Sequence, residues 1–400
     1  MKKYDCIVAG AGLSGFAAAV GAAQAGAKVL LIDRLPAAGG TAVYGLTPIL
    51  SGWHKNSLGN AVGSMLAEKL KTLNAFDWRV NKIVTHEDRL QQAMIEVLAD
   101  AGVETLYNAT VCGADRQGDV INSISVMTIG GVLELAADAF VDASGDAVLS
   151  VLAGAEIVVP DDEESMTKTL MFKVRNVKGF DRDTVIAQFK EHVNEFPVKI
   201  QNSFMGMPLL EREEVVMNLT AVPGNAADPE LYSNMYDQLY RQIGPIMEFM
   251  RRNVPCFAEA VVSKVAPIVG VRYSRSVKGE RGLTIEDIFN PETPAEPVAF
   301  CGTFIGGHYI KHFESPWGGK ITGKPAVPYG AIRVRGIKNL LTAGRIIDID
   351  PRAVSAIRLA AGCMATGQAA GIAAALKVPS YETLRKELDR QGCMDWLENM

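Results

Sequence analysis

What this sequence has little of already narrows what it can be. Its six cysteines, at 6, 112, 256, 301, 363 and 393, include no Cys-x-x-Cys pair. That spacing offers neither a zinc knuckle nor an iron–sulfur cluster, and six cysteines in 400 residues do not make a disulfide framework. A reduced, cytoplasmic protein is therefore the expectation. An excess of one charge is also missing: 40 Lys and Arg stand against 45 Asp and Glu, a formal net charge of −5. A basic face of the kind that grips nucleic acid is not expected, and the short acidic runs 161–164 and 211–214 read as solvated surface. Long apolar runs are lacking too. The nearest, 357–376, carries Arg358, Gln368 and three glycines, so no membrane span is expected. The start of the chain imitates a secretion signal, but Asp5 and the glycines at 10, 12, 15 and 21 break up the apolar region such a signal needs.

What is present is a globular composition, 48% hydrophobic and 21% charged, over a length that suggests two or three domains. The opening reads as strand 4–9, glycine turn 10–15, Ala-rich helix 16–25 and strand 28–32. Unalternating apolar strands are those buried on both faces of a parallel sheet. A glycine-rich stretch at 35–60 is too long for a plain connection. Helical patterns follow at 61–73 and 89–101, then a strand at 103–107, a β-meander over 109–140, and a strand at 139–143 running into Ser144-Gly145-Asp146. The middle, 156–324, loses Ala, gains Phe, Tyr, Met, Pro and charge, and shows no βαβ rhythm. After it come a strand at 339–342 and a small-residue helix at 362–376. The fold class expected is α/β: a doubly wound Rossmann-like domain from both termini (1–155 and 325–400) with an inserted α+β substrate or cap domain (156–324).

Gly10-x-Gly12-x-x-Gly15 is the dinucleotide fingerprint: one glycine for the turn, one for close approach of a pyrophosphate, one for helix–strand packing. The helix it opens offers free N–H groups and a partial positive charge to phosphates. Asp33, at the end of the next strand, is placed to accept hydrogen bonds from a ribose. The pattern by itself does not say which dinucleotide binds.

Further pieces carry a resemblance. Gly39-Gly40-Thr41, Val141 through Asp146, Asn339 through Arg345, and Cys363 through Gly371 follow the fingerprint in order. With the stretch from Gly270 to Asp287, the chain resembles the FAD-dependent oxidoreductase family, with a glutathione-reductase-type FAD domain related to fumarate reductase flavoproteins. The resemblance implies FAD as cofactor, held by Gly10, Gly12, Gly15 and Asp33, with Gly39, Gly40 and Thr41 passing near the flavin. It assigns Arg34, Val111, Ser144, Gly145, Asp146, Gly344, Arg345, Cys363 and Met364 to the same pocket, and aims the helix near Gly362 at the pyrimidine edge, where its dipole would favour a reduced flavin. Two departures weaken any borrowed substrate. Relatives show Trp-Pro-x-Asp-x-His where this chain has Thr303-Phe304-Ile305-Gly306-Gly307-His308, and Pro-Tyr-Arg where it has Pro328-Tyr329-Gly330.

Of five histidines, His308, His312 and His54 are candidates for moving the proton that accompanies hydride transfer, with Tyr309 beside them; His86 and His192 read as surface. A His308/His312 metal pair lacks a helix and a third ligand, so no metal is expected. Arg272 and Arg275 are candidates for clamping an anionic substrate, against structural pairing with Glu280 or Glu286. Cys363 reads as small-residue packing near the flavin, and covalent attachment is the minor alternative. The expected activity is an oxidoreductase passing a hydride between a small organic substrate and flavin N5. The alternatives are a fumarate-reductase-like C=C reductase and an electron-transfer subunit with an iron–sulfur partner. Expected partners are a small-molecule substrate, with a redox partner protein and a homo-oligomer left open; neither nucleic acid nor membrane is expected.

Overall fold

The computed structural model describes residues 2–53, 61–79, 82–161, 164–199, 203–210, 213–290, 292–302, 304–305, 307–308, 319–321 and 325–395. His54, Tyr309 and His312 lie outside the described residues.

The chain opens with strand β1 (Lys2–Ala9), helix α1 (Leu13–Gln24) and strand β2 (Val29–Ile32). β1 and β2 pair in parallel from Cys6↔Val29 to Ala9↔Ile32. The helix α2 (Glu87–Asp100) leads into β3 (Glu104–Leu106), which extends the sheet in parallel beside β2. A meander follows: β4 (Thr110–Gln117), β5 (Val120–Thr128) and the long β6 (Gly131–Asp142). β6 joins two kinds of sheet. Its first half pairs antiparallel with β5, and its second half runs parallel to β1 from Leu135 to Asp142. The ends of β1, β2 and β6 therefore finish along one edge, where open α/β sheets bind their ligands.

A second sheet interrupts this pattern. β7 (Phe172–Arg175), β8 (Gly206–Pro208), β9 (Val215–Met217) and β10 (Val261–Val265) form an all-antiparallel sheet in the order β8-β9-β7-β10. Helix α3 (Pro229–Asn253), capped by the Asp228 carboxylate on the Glu230 and Leu231 N–H groups, buries Leu239, Ile243, Ile246 and Met250 in the same apolar cluster as Phe172 and Met217. The chain then returns. Ile285, Ile288 and 298–301 pack into the large cluster around α1, and β11 (Leu340–Thr342) adds in parallel to the end of β6.

Helix α4 (Ala360–Ala375) closes the first layer, starting two residues before the helix read from sequence. It lies so close to α1 that a Cβ on Gly367 would meet the Ser14 carbonyl oxygen at 2.1 Å, and one on Gly371 the Ala18 oxygen at 1.9 Å. The small-residue pattern thus marks helix-on-helix contact, which suits a soluble core as well as a membrane. No helix among the described residues is long and apolar enough to cross a membrane.

The two sheets are tied by charge. Glu87, in the first turn of α2, receives Lys173 of β7 at 2.8 Å and Lys264 of β10 at 3.0 Å, and Lys173 also reaches Glu214 at 3.1 Å. Glu87 and Lys173 are both buried. Arg79 adds two hydrogen bonds to the Pro208 and Leu209 carbonyls.

Candidate active site

One cavity of about 380 Å³ runs from the glycine loop after β1 to the second sheet. Its first wall is mostly backbone. Gly10 adopts φ +103°, and a Cβ there would meet the Ala143 carbonyl oxygen at 2.5 Å, so only glycine fits. Gly12 differs: a Cβ there would find nothing nearer than 3.9 Å. Among the described residues only the Gly40 Cα comes that near, and this side opens on the cavity with room for a closely approaching ligand. Gly12 also caps α1 without any side-chain hydrogen bond, leaving first-turn N–H groups available to an anion.

Asp33 sits at the end of β2 with one carboxylate oxygen accepting the Ala11 N–H and the other the Leu35 N–H at 2.8 Å. Burial raises its carboxyl above the usual range, partly offset by those bonds and by Arg34. Each oxygen retains a second lone pair for an outside donor. Across the loop, Asp146 is held by Arg345 at 3.1 Å and the Ser274 hydroxyl at 2.7 Å. Burial works against the Asp146 charge, but Arg345, Ser274 and Arg34 outweigh it and hold the carboxyl below its ordinary value. Arg345 lies flat over Gly145, where a Cβ would strike the guanidinium at 2.6 Å, and its buried Nε has no partner among the described residues. A cradle of open N–H groups, a ribose-ready carboxylate and a guanidinium with a spare donor fits a dinucleotide such as FAD.

Thr41, Gly40, Val111 and Cys363 complete this side of the wall. The Cys363 thiol donates to the Arg358 carbonyl at 3.3 Å, and burial pushes it up to about 11, so it stays protonated. Ser144 lines the cavity while its hydroxyl serves the turn, donating to Asp142 at 2.6 Å. Gly15, Gly39 and Gly344 stand outside the cavity lining, and Met364 is fully buried in the core.

The second wall is made of side chains. Arg272, just after the second sheet, donates to the Thr167 carbonyl at 2.6 Å and to Asn218 Oδ1 at 3.1 Å. Neither Glu280 nor Glu286 pairs with it: Glu280 pairs with Arg333 and Glu286 lies near Arg352. Arg275 turns instead to the Asp146 carbonyl at 2.7 Å. Arg272 faces the cavity yet is surrounded by protein, and that desolvation, with the like charge of Arg358, pulls its guanidinium down to about 9. Thr167 links this arginine to His308, giving its N–H to the His308 carbonyl at 2.8 Å. His308 has φ +76° and lines the same cavity. Burial, then Arg272 and Arg358, hold its imidazole well below the ordinary value and therefore neutral at physiological pH.

Sequence reading missed Thr167, Asn218 and Arg358. Only Arg358 had a local signal, a charge at the start of an otherwise apolar run. His86 is half-buried rather than exposed, and His192 sits 3.5 Å from Glu195. Among the described residues no cluster of His, Cys, Asp and Glu is arranged to hold a metal ion.

A family model for FAD dependent oxidoreductases matches residues 5–393. No curated protein sequence matches the chain. Among solved structures, a geranylgeranyl bacteriochlorophyll reductase-like protein from Thermoplasma acidophilum aligns over 100% of this chain and 87% of its own, at 13% identity and a TM-score of 0.54. The flavin-dependent brominase Bmp2 aligns over 96% and 83%, at 13% identity and a TM-score of 0.51. The myxobacterial chondrochloren halogenase CndH aligns over 98% and 79%, at 14% identity and a TM-score of 0.51. At such identities the likeness speaks to the fold alone. The family model spans nearly the whole chain: the chain belongs to the FAD-dependent oxidoreductase family and is an enzyme with FAD as its cofactor.

Proposed function

We propose that this enzyme moves a hydride between a small organic substrate and FAD, whose N5 supplies the hydride-accepting chemistry when bound. Gly10, Gly12, Asp33, Asp146 and Arg345 would hold the cofactor along the first wall. The substrate would sit against the second wall, anchored by Arg272. The observation that carries this reading is the meeting of Arg272 and His308 in one cavity with the glycine cradle.

His308 is the proton-handling group. A neutral imidazole accepts a proton, which is what a substrate needs as it gives up a hydride. Arg272 and Arg358 oppose a positive charge on His308 until an anionic substrate offsets them, so binding and basicity are coupled.

The test is an anaerobic screen of small organic acids against the purified yellow protein, followed by loss of flavin absorbance. Bleaching by one of them, slowed by about 100-fold in His308→Gln with FAD retained, is expected. Full turnover in His308→Gln would end the proton role. Reduction by a reduced iron–sulfur protein, with none by any small molecule, would move the protein to the electron-transfer reading.

A further inference from the structure

The second wall says more about the ligand than that it is small, and the ligand class it points to rests on the hydride-transfer function proposed for this enzyme. Arg272 makes three hydrogen bonds, to the Thr167 carbonyl and hydroxyl and to Asn218 Oδ1, and every acceptor is uncharged. None of these acceptors is a carboxylate, and the charged group acting on it is the like-charged Arg358. A guanidinium desolvated by protein and left without a counter-ion is costly, and an arriving anion offsets that cost. Arg345, by contrast, is ion-paired with Asp146 at the cofactor end and has its counter-charge. Because Arg272 only donates, Asn218 must turn its oxygen to the arginine, which leaves Nδ2 as a further donor beside it.

Away from this corner the wall changes character. Met171, Tyr232, Ile268 and Val269 line this part of the cavity together with Thr169, Gly270 and Val271, and none of them is charged. Met171 and Val269 are buried, and Tyr232 comes from the first turn of α3. Arg358, which lines the cavity beside Arg272, shares the same corner, so a second charge laid along this surface would lie away from both cations and meet no counter-charge on these side chains.

We propose that the substrate is an amphipathic monocarboxylate, its carboxylate held by Arg272 and Asn218 and its apolar body laid against Met171, Tyr232, Ile268 and Val269. Arg272, with Arg358 beside it, decides which end enters, and the wall beyond offers no counter-charge to a second carboxylate.

The experiment is calorimetric titration of the purified holoenzyme with four probes: phenylacetate, hexanoate, succinate, and phenylacetamide as the neutral isostere. Phenylacetate or hexanoate is expected to bind at least about tenfold more tightly than succinate and phenylacetamide, a difference of ~1.4 kcal/mol. In Arg272→Gln the monocarboxylates should lose about tenfold or more while phenylacetamide is unchanged; a melting curve shows that the variant is folded, and Asn218→Leu gives a second, milder loss. Succinate binding as tightly as the monocarboxylates would overturn the proposal, and so would equal binding of phenylacetamide or no binding by any monocarboxylate. The flavin spectrum, recorded on the same sample with dithionite, reports separately on the flavin function. A protein that binds and reduces flavin but ignores the monocarboxylates refutes this inference alone, whereas one without flavin refutes the function on which it rests.

Discussion

The two walls of the cavity are built by different means. The first, from the ends of β1, β2 and β6, presents mostly backbone, glycines and helix N–H groups, with the charged side chains Asp33, Asp146 and Arg345 fixed by their neighbours. The second, from the antiparallel sheet and the segments around it, presents side chains gathered from distant positions, among them Thr167, Asn218 and Arg272. A backbone cradle recognises what all dinucleotides share and tolerates little change. A side-chain wall recognises one ligand and is open to substitution without loss of the fold.

The sharpest break in this comparison is expected at Gly10. Gly10→Val forces a branched side chain into φ +103° and against the Ala143 carbonyl, so it should abolish bound flavin and lower the melting temperature, read by absorbance and thermal unfolding. Retained yellow colour would mean that the loop can rearrange.

Next in size is Glu87→Gln, which removes one partner of a buried charge cluster between the sheets. A loss of about 3 kcal/mol is expected by denaturant unfolding. Burial alone would raise the Glu87 carboxyl, but Lys173 and Lys264 outweigh it and hold it low. A folded value below the unfolded one stabilises at pH above the ordinary carboxyl range, and that stability is lost as pH falls through the lower folded value. The gap between wild type and Glu87→Gln should therefore close in acid. A gap that widened would sink the assignment.

Gly12→Ala sharpens the contrast within the first wall. With 3.9 Å of clearance and an extended backbone (φ −70°, ψ −174°), alanine should leave the melting temperature unchanged. FAD affinity should nevertheless fall by about tenfold, because the new methyl occupies the approach to the pyrophosphate. Loss of fold instead would place Gly12 with Gly10.

The smallest effect is expected from pH on the second wall. A histidine held well below its ordinary value titrates outside the physiological range, so kcat/KM should be level from about pH 6 to 8. An inflection near 6.5 that disappears in His308→Gln would show an ordinary, solvated imidazole.

The first wall was legible in the sequence because its function depends on local spacing. Gly10, Gly12 and Gly15 lie within one turn, and Asp33 follows at the end of the next strand, so a βαβ unit brings them together whatever the rest of the chain does. The second wall was legible only in fragments. Arg272 and His308 stood out by residue type. What they pair with did not, since Arg272 meets Asn218 across 54 positions and Thr167 across 105. Arg275 had the same sequence credentials as Arg272 and serves the Asp146 turn instead.

By itself, then, the sequence determined the α/β class, the parallel sheet around β1 and the dinucleotide cradle, because each follows from hydrophobic periodicity and glycine spacing over a few tens of residues. The tertiary structure decided which arginine faces the cavity, that His308 is held neutral beside it, and that Met171 and Tyr232 share its wall. Those facts depend on burial and on contacts between residues far apart in the chain, and no local pattern encodes either.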